Sequence, residues 1–264
     1  MEEHYLNKIY YRKNKFLKRP TIIFVHGLSG SSSAWFKYED KFEKKYNILS
    51  FDLRGHGKSL RPERFNDYAI HKFSEDLHKI IKKEKLSKFI LVSHSFGNLI
   101  ALDFLKKYQK LMKAVIFVSP DYAPSRRLLA KIVRLFLSFL RPLTWMSYKK
   151  QGDHIDYSNY IGTGDWNLRR MYADVSNTGL KSYLNSTIHS YYFNEEKFLR
   201  EIKIPTLIIH GKKDSIFLVE SSKIMVQRIK HSRLILLNNA DHIIVLNHFE
   251  RLSSEIERFV DSLK

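Results

Sequence analysis

A serine, an aspartate and a histidine, each placed just beyond an apolar run, are the residues of this chain best suited to act together. Ser95 lies in Ser93-His94-Ser95-Phe96-Gly97, after Phe89-Ile90-Leu91-Val92 and before a helix-like stretch. A small-x-Ser-x-Gly segment between strand and helix is a nucleophile elbow, a tight turn that lifts the hydroxyl above the sheet. Small neighbours let strand and helix approach, and Ser93 stands where a glycine is usual. Asp214 follows the run Thr206 to Gly211, and His242 follows the run Leu234 to Leu237 by way of Ala240-Asp241. A neutral hydroxyl is a weak nucleophile and needs a base to take its proton. His242 suits that task, since imidazole titrates near neutrality and can return the proton to a leaving group. Asp214 can hold the other ring nitrogen and stabilise the imidazolium. The oxyanion of a tetrahedral intermediate needs two fixed donors; position assigns the backbone N–H of Phe96, after the nucleophile, and of Leu28, after Thr21–Val25.

The elements that must position these residues alternate between strands and helices. Residues 5–13, 21–25, 46–51, 88–92, 113–119, 206–211 and 234–237 read as strands, while Asp67 to Lys83 has helical spacing, with Ile70, Phe73, Leu77 and Ile80 near one face. This alternation predicts an α/β fold with a mostly parallel central sheet flanked by helices.

The chain order Ser, Asp, His, the loop His26-Gly27-Leu28-Ser29-Gly30 and the segment Asp52-Leu53-Arg54-Gly55-His56-Gly57-Lys58-Ser59 together resemble the α/β-hydrolase superfamily from about residue 20 onward. The resemblance implies a serine esterase or lipase-like member: a core over 1–121 and 201–264, with a helical cap over 122–200. It also raises Asp121 as a rival triad acid, because some relatives carry the acid after that strand. His26 and Gly27 are expected to shape the oxyanion loop, Asp52, Arg54 and His56 to brace loops, and His94 to pack beside the nucleophile.

Within the expected cap, Arg127, Lys131, Arg134, Ser138 and Arg141 form a polar stripe on an otherwise apolar helix that Pro142 ends. Its wide apolar face predicts an acyl-chain pocket lined by Leu128, Ile132, Leu135 and Phe136, with Trp145 and Met146. The same helix, basic beside apolar, also suits peripheral contact with an anionic membrane. The expected partner is therefore a small-molecule ester or acyl substrate. The same machinery also serves amide, thioester or carbon–carbon cleavage, or a ligand-binding receptor without turnover; fold and triad do not choose among these.

Composition narrows the classes. Forty-six basic against 27 acidic residues give +19, but the lysines are scattered and no nucleic-acid motif accompanies them, so nucleic acid is not expected as a partner. No cysteine is present, which excludes disulfides and thiolate metal sites and is compatible with a cytoplasmic setting. Neither a Gly-x-x-x-x-Gly-Lys-[Ser/Thr] loop nor His-Glu-x-x-His occurs. The triad chemistry requires no cofactor, and nothing in the sequence fixes an oligomeric state.

Overall fold

Strands in this computed structural model, which describes residues 1–146 and 152–263, are β1 (Glu2–Leu6), β2 (Ile9–Lys13), β3 (Thr21–Val25), β4 (Asn47–Phe51), β5 (Phe89–His94), β6 (Met112–Val118), β7 (Thr206–Gly211) and β8 (Ser232–Leu237). They form one sheet in the order β1-β2-β4-β3-β5-β6-β7-β8. From β4 onward across the sheet the pairings are parallel; β1–β2 and β2–β4 are antiparallel.

The central parallel strands β3, β5, β6 and β7 read as near-continuous apolar runs because both faces are covered, whereas the edge strand β8 is only partly buried. Side chains alternate along each strand. Ile23 and Val25 of β3 pack with Leu91 and Phe117 on one face, while Ile22 and Phe24 pack with Val92 and Ile116 on the other. Helices α1 (Phe36–Phe42), α2 (Ile70–Lys83) and α3 (Phe96–Tyr108) flank these strands. The spacing of Ile70, Phe73, Leu77 and Ile80 buries one face of α2 as expected, although Phe65–Tyr68 forms a separate 3-10 turn.

The expected single strand over 5–13 is instead the β1–β2 hairpin. Asn7 and Lys8 both take positive φ (50° and 63°), and Leu6 faces Ile9 across the turn. A two-residue turn of this hand favours Gly second, and Lys8 carries no such signal.

Between β6 and β7 the chain builds α4 (Ala130–Leu140), α5 (Leu168–Thr178) and α6 (Leu180–Ser190). Beyond β7 come α7 (Val219–Arg228), the short α8 (Ile244–Asn247) and α9 (Phe249–Asp261), the last covering the same face of the sheet as α1. No described helix is long and apolar enough to cross a membrane.

Candidate active site

The parallel strands deliver their carboxyl ends to one edge of the sheet, where α/β proteins place ligands. At the end of β5 the chain turns sharply into α3, with Ser95 at φ 52°, ψ −121°. Such a conformation is strained for a residue with a side chain and persists only when its surroundings impose it. Ser95 N donates to Val118 O at 3.1 Å, and Asn98 N donates to Ser95 O at 2.9 Å. A Cβ on Gly97 would stand 2.7 Å from His26 O and 2.9 Å from Val25 O, so only glycine lets α3 start this close to β3. Ser93 fits in place of the usual glycine because its buried hydroxyl donates to Asn98 Oδ1 at 2.7 Å.

His242 Nε2 lies 2.7 Å from Ser95 Oγ, and its Nδ1 lies 2.8 Å from Asp214 Oδ2. With Nδ1–H donating to the carboxylate, Nε2 is left to accept the serine proton. Asp214 Oδ1 accepts from the backbone N–H groups of Ile216 (2.9 Å) and Phe217 (2.8 Å). Its Oδ2 also meets Nε2 of His210 at 3.2 Å, and that ring's Nδ1 is 2.6 Å from Ser222 Oγ. Burial opposes ionisation of Asp214, but the hydrogen bonds from His210, His242 and the Phe217 N–H outweigh it and hold the carboxyl well below its ordinary value. All three residues are buried.

Asp121, the rival acid, is occupied elsewhere. Its Oδ2 accepts from Arg127 Nε (3.1 Å) and Nη2 (2.9 Å), and its Oδ1 caps Ala123 N. The Arg127 guanidinium lies over the Phe217 ring, 4.6 Å from its centre, and that ring meets His242 edge-on. Asp121 thus braces the wall behind the histidine.

The loop after β3 is held by the histidine within it. His26 Nε2 accepts from Leu53 N at 3.0 Å, and its Nδ1 pairs with Gly27 O at 2.7 Å. His94 Nε2 donates to His242 O at 2.9 Å, tying the elbow to the histidine loop. Burial pushes His26 down to about 4 and His94, with His242 beside it, to about 3, so both stay neutral near pH 7. Asp52 accepts from the N–H groups of Ser32 and Lys58, Arg54 forms a two-point pair with Asp76, and His56 bonds Arg54 O. These residues brace loops. Phe96 opens α3, so its N–H has no acceptor within the helix.

A cavity of about 440 Å³ opens over Ser95 and His242, with Leu28 and Phe96 in its wall. The pocket expected on α4 is not there. Leu128, Ile132, Leu135 and Phe136 point to solvent, between 60% and 96% exposed, and none lines the cavity. The reason is that α4 also has a second, inner apolar arc, so burial of the helix does not require the outer one. The side chains of Trp145 and Met146 lie outside the described residues. The insertion contributes different residues to the wall, among them Tyr157, Trp166, Arg170, Met171 and Thr187.

One polar wall residue escaped sequence reasoning. Asp165 Oδ1 accepts from His242 N at 2.7 Å, while its Oδ2 accepts from Ser215 N at 2.9 Å and Ser215 Oγ at 2.8 Å. A buried carboxylate thereby joins the loops that carry the acid and the histidine. The sequence marks it only as an aspartate inside Gly162-Thr163-Gly164-Asp165-Trp166, with partners 50 and 77 residues away. In Asp165→Asn the amide cannot accept at both ends, so one loop loses its anchor and a buried donor goes unpaired. The expected result is a fall of about 100-fold in kcat, the scale of an ångström's misplacement, read by steady-state hydrolysis alongside a thermal melt.

Among the described residues no cluster of His, Cys, Asp or Glu is arranged to hold a metal ion. The family model for the alpha/beta hydrolase fold matches residues 20–249. Protein ABHD8 of Bos taurus is 23% identical over 247 residues, 90% of this chain and 55% of that protein, so the chain spans about half the length of this relative. A proline iminopeptidase of Saccharolobus solfataricus is 23% identical over 97% of this chain and 89% of its own. Among solved structures, the enol-lactonase of Burkholderia xenovorans LB400 superposes with a TM-score of 0.76 at 18% identity, covering 98% of this chain and all (100%) of the other. A parallel sheet with its elbow serine, acid and histidine at one edge, matched by the family model over most of its length, places this chain in the α/β-hydrolase family.

Proposed function

We propose that the protein is a serine hydrolase that cleaves carboxylic esters through a covalent acyl-enzyme. The observation that carries this reading is the unbroken hydrogen-bond chain Ser95–His242–Asp214 on the floor of the cavity. In the forward step Ser95 Oγ attacks the ester carbonyl carbon while its proton passes to His242 Nε2. The carbonyl oxygen becomes an oxyanion held by the N–H groups of Leu28 and Phe96. Collapse expels the alkoxide, which takes the proton from His242. Water then enters and gives one proton to the same nitrogen as its oxygen attacks the acyl carbon; the bond to Oγ breaks, the acid leaves, and His242 returns the proton to Ser95. Asp214 keeps Nδ1 protonated throughout and stabilises the imidazolium.

The inserted segment 122–200 acts in this reading as a cap, because its side chains wall the cavity above the nucleophile. The wall combines apolar groups such as Leu28, Leu99, Met171, Val175 and Leu246 with polar and charged ones such as Arg170, Asp174 and Thr187, so it offers an acyl group apolar contacts beside groups that can orient it. A serine nucleophile gives an ester whose carbonyl comes from the substrate acyl group, whereas an aspartate would give an alkyl ester whose carbonyl is its own; the serine at the elbow therefore fits acyl transfer. The relatives named as a peptidase and a lactonase both break an acyl bond to a heteroatom, which supports the acyl-transfer class.

The test is hydrolysis of p-nitrophenyl esters from acetate to palmitate, with the p-nitroanilides beside them. Turnover of esters with an initial burst stoichiometric with enzyme is the expected result. Failure of folded protein to turn over any ester would overturn the reading.

A further inference from the structure

Helix α4 has three faces, and only one is needed to hold it in place. Ala130, Val133, Leu137 and Leu140 recur at spacings of three and four, are buried or half-buried, and turn toward the protein, where α4 packs on α6. Leu128, Ile132, Leu135, Phe136 and Phe139 form a second apolar arc that is open to solvent, with Leu128 96% and Phe139 81% exposed. Between the two arcs lie Lys131, Arg134 and Arg141. Arg134 lies over Tyr192, 4.3 Å from its ring centre, and Arg141 over Phe65 at 4.2 Å. These contacts rest one face of each guanidinium on an aromatic ring of the protein and fix where the two charges stand.

We propose that this outer face of α4 docks the protein on an anionic bilayer surface, with the apolar arc in the acyl boundary and the basic row against the headgroups. An amphipathic helix lying in the interface plane has this division of faces. Charge complementarity selects the occupant. Residues 122–146 contain Arg126, Arg127, Lys131, Arg134 and Arg141 but no Asp or Glu, in a chain of net charge +19; Arg126 and Arg127 pair with Glu196 and Asp121, and the basic row on α4 is Lys131, Arg134 and Arg141. A second copy of the chain would bring the same positive charge to the contact and be repelled. A bilayer of acidic lipid satisfies both the exposed apolar arc and the basic row of Lys131, Arg134 and Arg141 beside it. The face also adjoins the cavity: Pro124 and Arg127, immediately before Leu128, are part of its wall. A docked α4 therefore sets the mouth of the site next to the lipid. The docking stands whether or not the site cleaves esters.

The experiment is flotation of the full chain with phosphatidylglycerol/phosphatidylcholine vesicles and with pure phosphatidylcholine vesicles. Wild-type protein is expected to float with the first and not the second. Binding is expected to weaken as salt rises from about 0.1 M to about 1 M, where the screening length falls from about 10 Å to 3 Å. Phe136→Ser/Phe139→Ser, changing two exposed side chains outside the cavity, is expected to lower partitioning at least about tenfold. Its hydrolysis of a soluble short ester should match wild type, so loss of binding is separable from damage to the site. Three results would each overturn the proposal. The first is absence of wild-type binding to anionic vesicles. The second is undiminished binding by the double variant, which would mean diffuse charge attraction. The third is a wild-type dimer, seen by sedimentation velocity, that the double variant turns into monomer.

Discussion

Ser95→Ala is expected to lower kcat for ester hydrolysis by about 10⁴- to 10⁶-fold, the range seen when a triad nucleophile is removed from comparable machinery. The effect is large because, in the proposed reaction, the serine hydroxyl forms the acyl-enzyme, and among the described residues that hydroxyl is the one within reach of His242 Nε2. His94, the adjacent imidazole, is held away from this role: its Nε2 donates to His242 O, and burial keeps it neutral. Catalysis above the rate in water should survive, since the Leu28 and Phe96 donors remain. The fold should survive as well. Positive φ at residue 95 is held by backbone bonds and by the approach of Gly97 to β3, none of which involves Oγ. Alanine suffers the same backbone strain as serine. Single-turnover kinetics with an activated ester, with thermal melts of both proteins, check this; turnover within about tenfold of wild type would exclude the acyl-enzyme route.

The parts of this molecule legible in its sequence share a physical basis: each depends on local spacing. β3, β5, β6 and β7 are buried on both faces, so their apolar runs are continuous and bounded by turns. Ser95 and Asp214 each sit within a few residues of such a run, His242 follows the partly buried edge strand β8, and the parallel sheet brings these strand ends to one edge. What escaped depends on contacts that spacing does not encode. The apolar arc through Leu128 and Phe139 has the same periodicity as a buried face, and only the presence of a second, inner arc turns it outward. Asp165 and His210 act on residues brought near them by the topology. The hairpin at Asn7-Lys8 was hidden because a lysine occupies a position where glycine would have announced the turn.

Replacing the acid distinguishes the two aspartates and tests the tautomer argument directly. In Asp214→Asn the amide oxygen is required at the Oδ1 position, where the N–H groups of Ile216 and Phe217 both donate. The NH₂ group then occupies the Oδ2 position, facing His242 Nδ1 and His210 Nε2. A donor there forces Nδ1 of His242 to accept, which moves the ring proton to Nε2. That nitrogen then faces Ser95 Oγ as a donor and cannot take the serine proton. A loss of about 10⁴-fold in kcat is expected, with the geometry largely intact. Flipping the amide instead would aim NH₂ at two backbone donors and leave both unpaired. Asp121→Asn changes only the bracing of Arg127 and the end of β6, so its kcat should stay within about tenfold of wild type. The comparison is decisive because both carboxylates are buried and each follows a strand of the same sheet. If Asp121→Asn suffered the larger loss, Asp214 would not be the group that sets the tautomer of His242, and the assignment built on the 2.8 Å contact would fall.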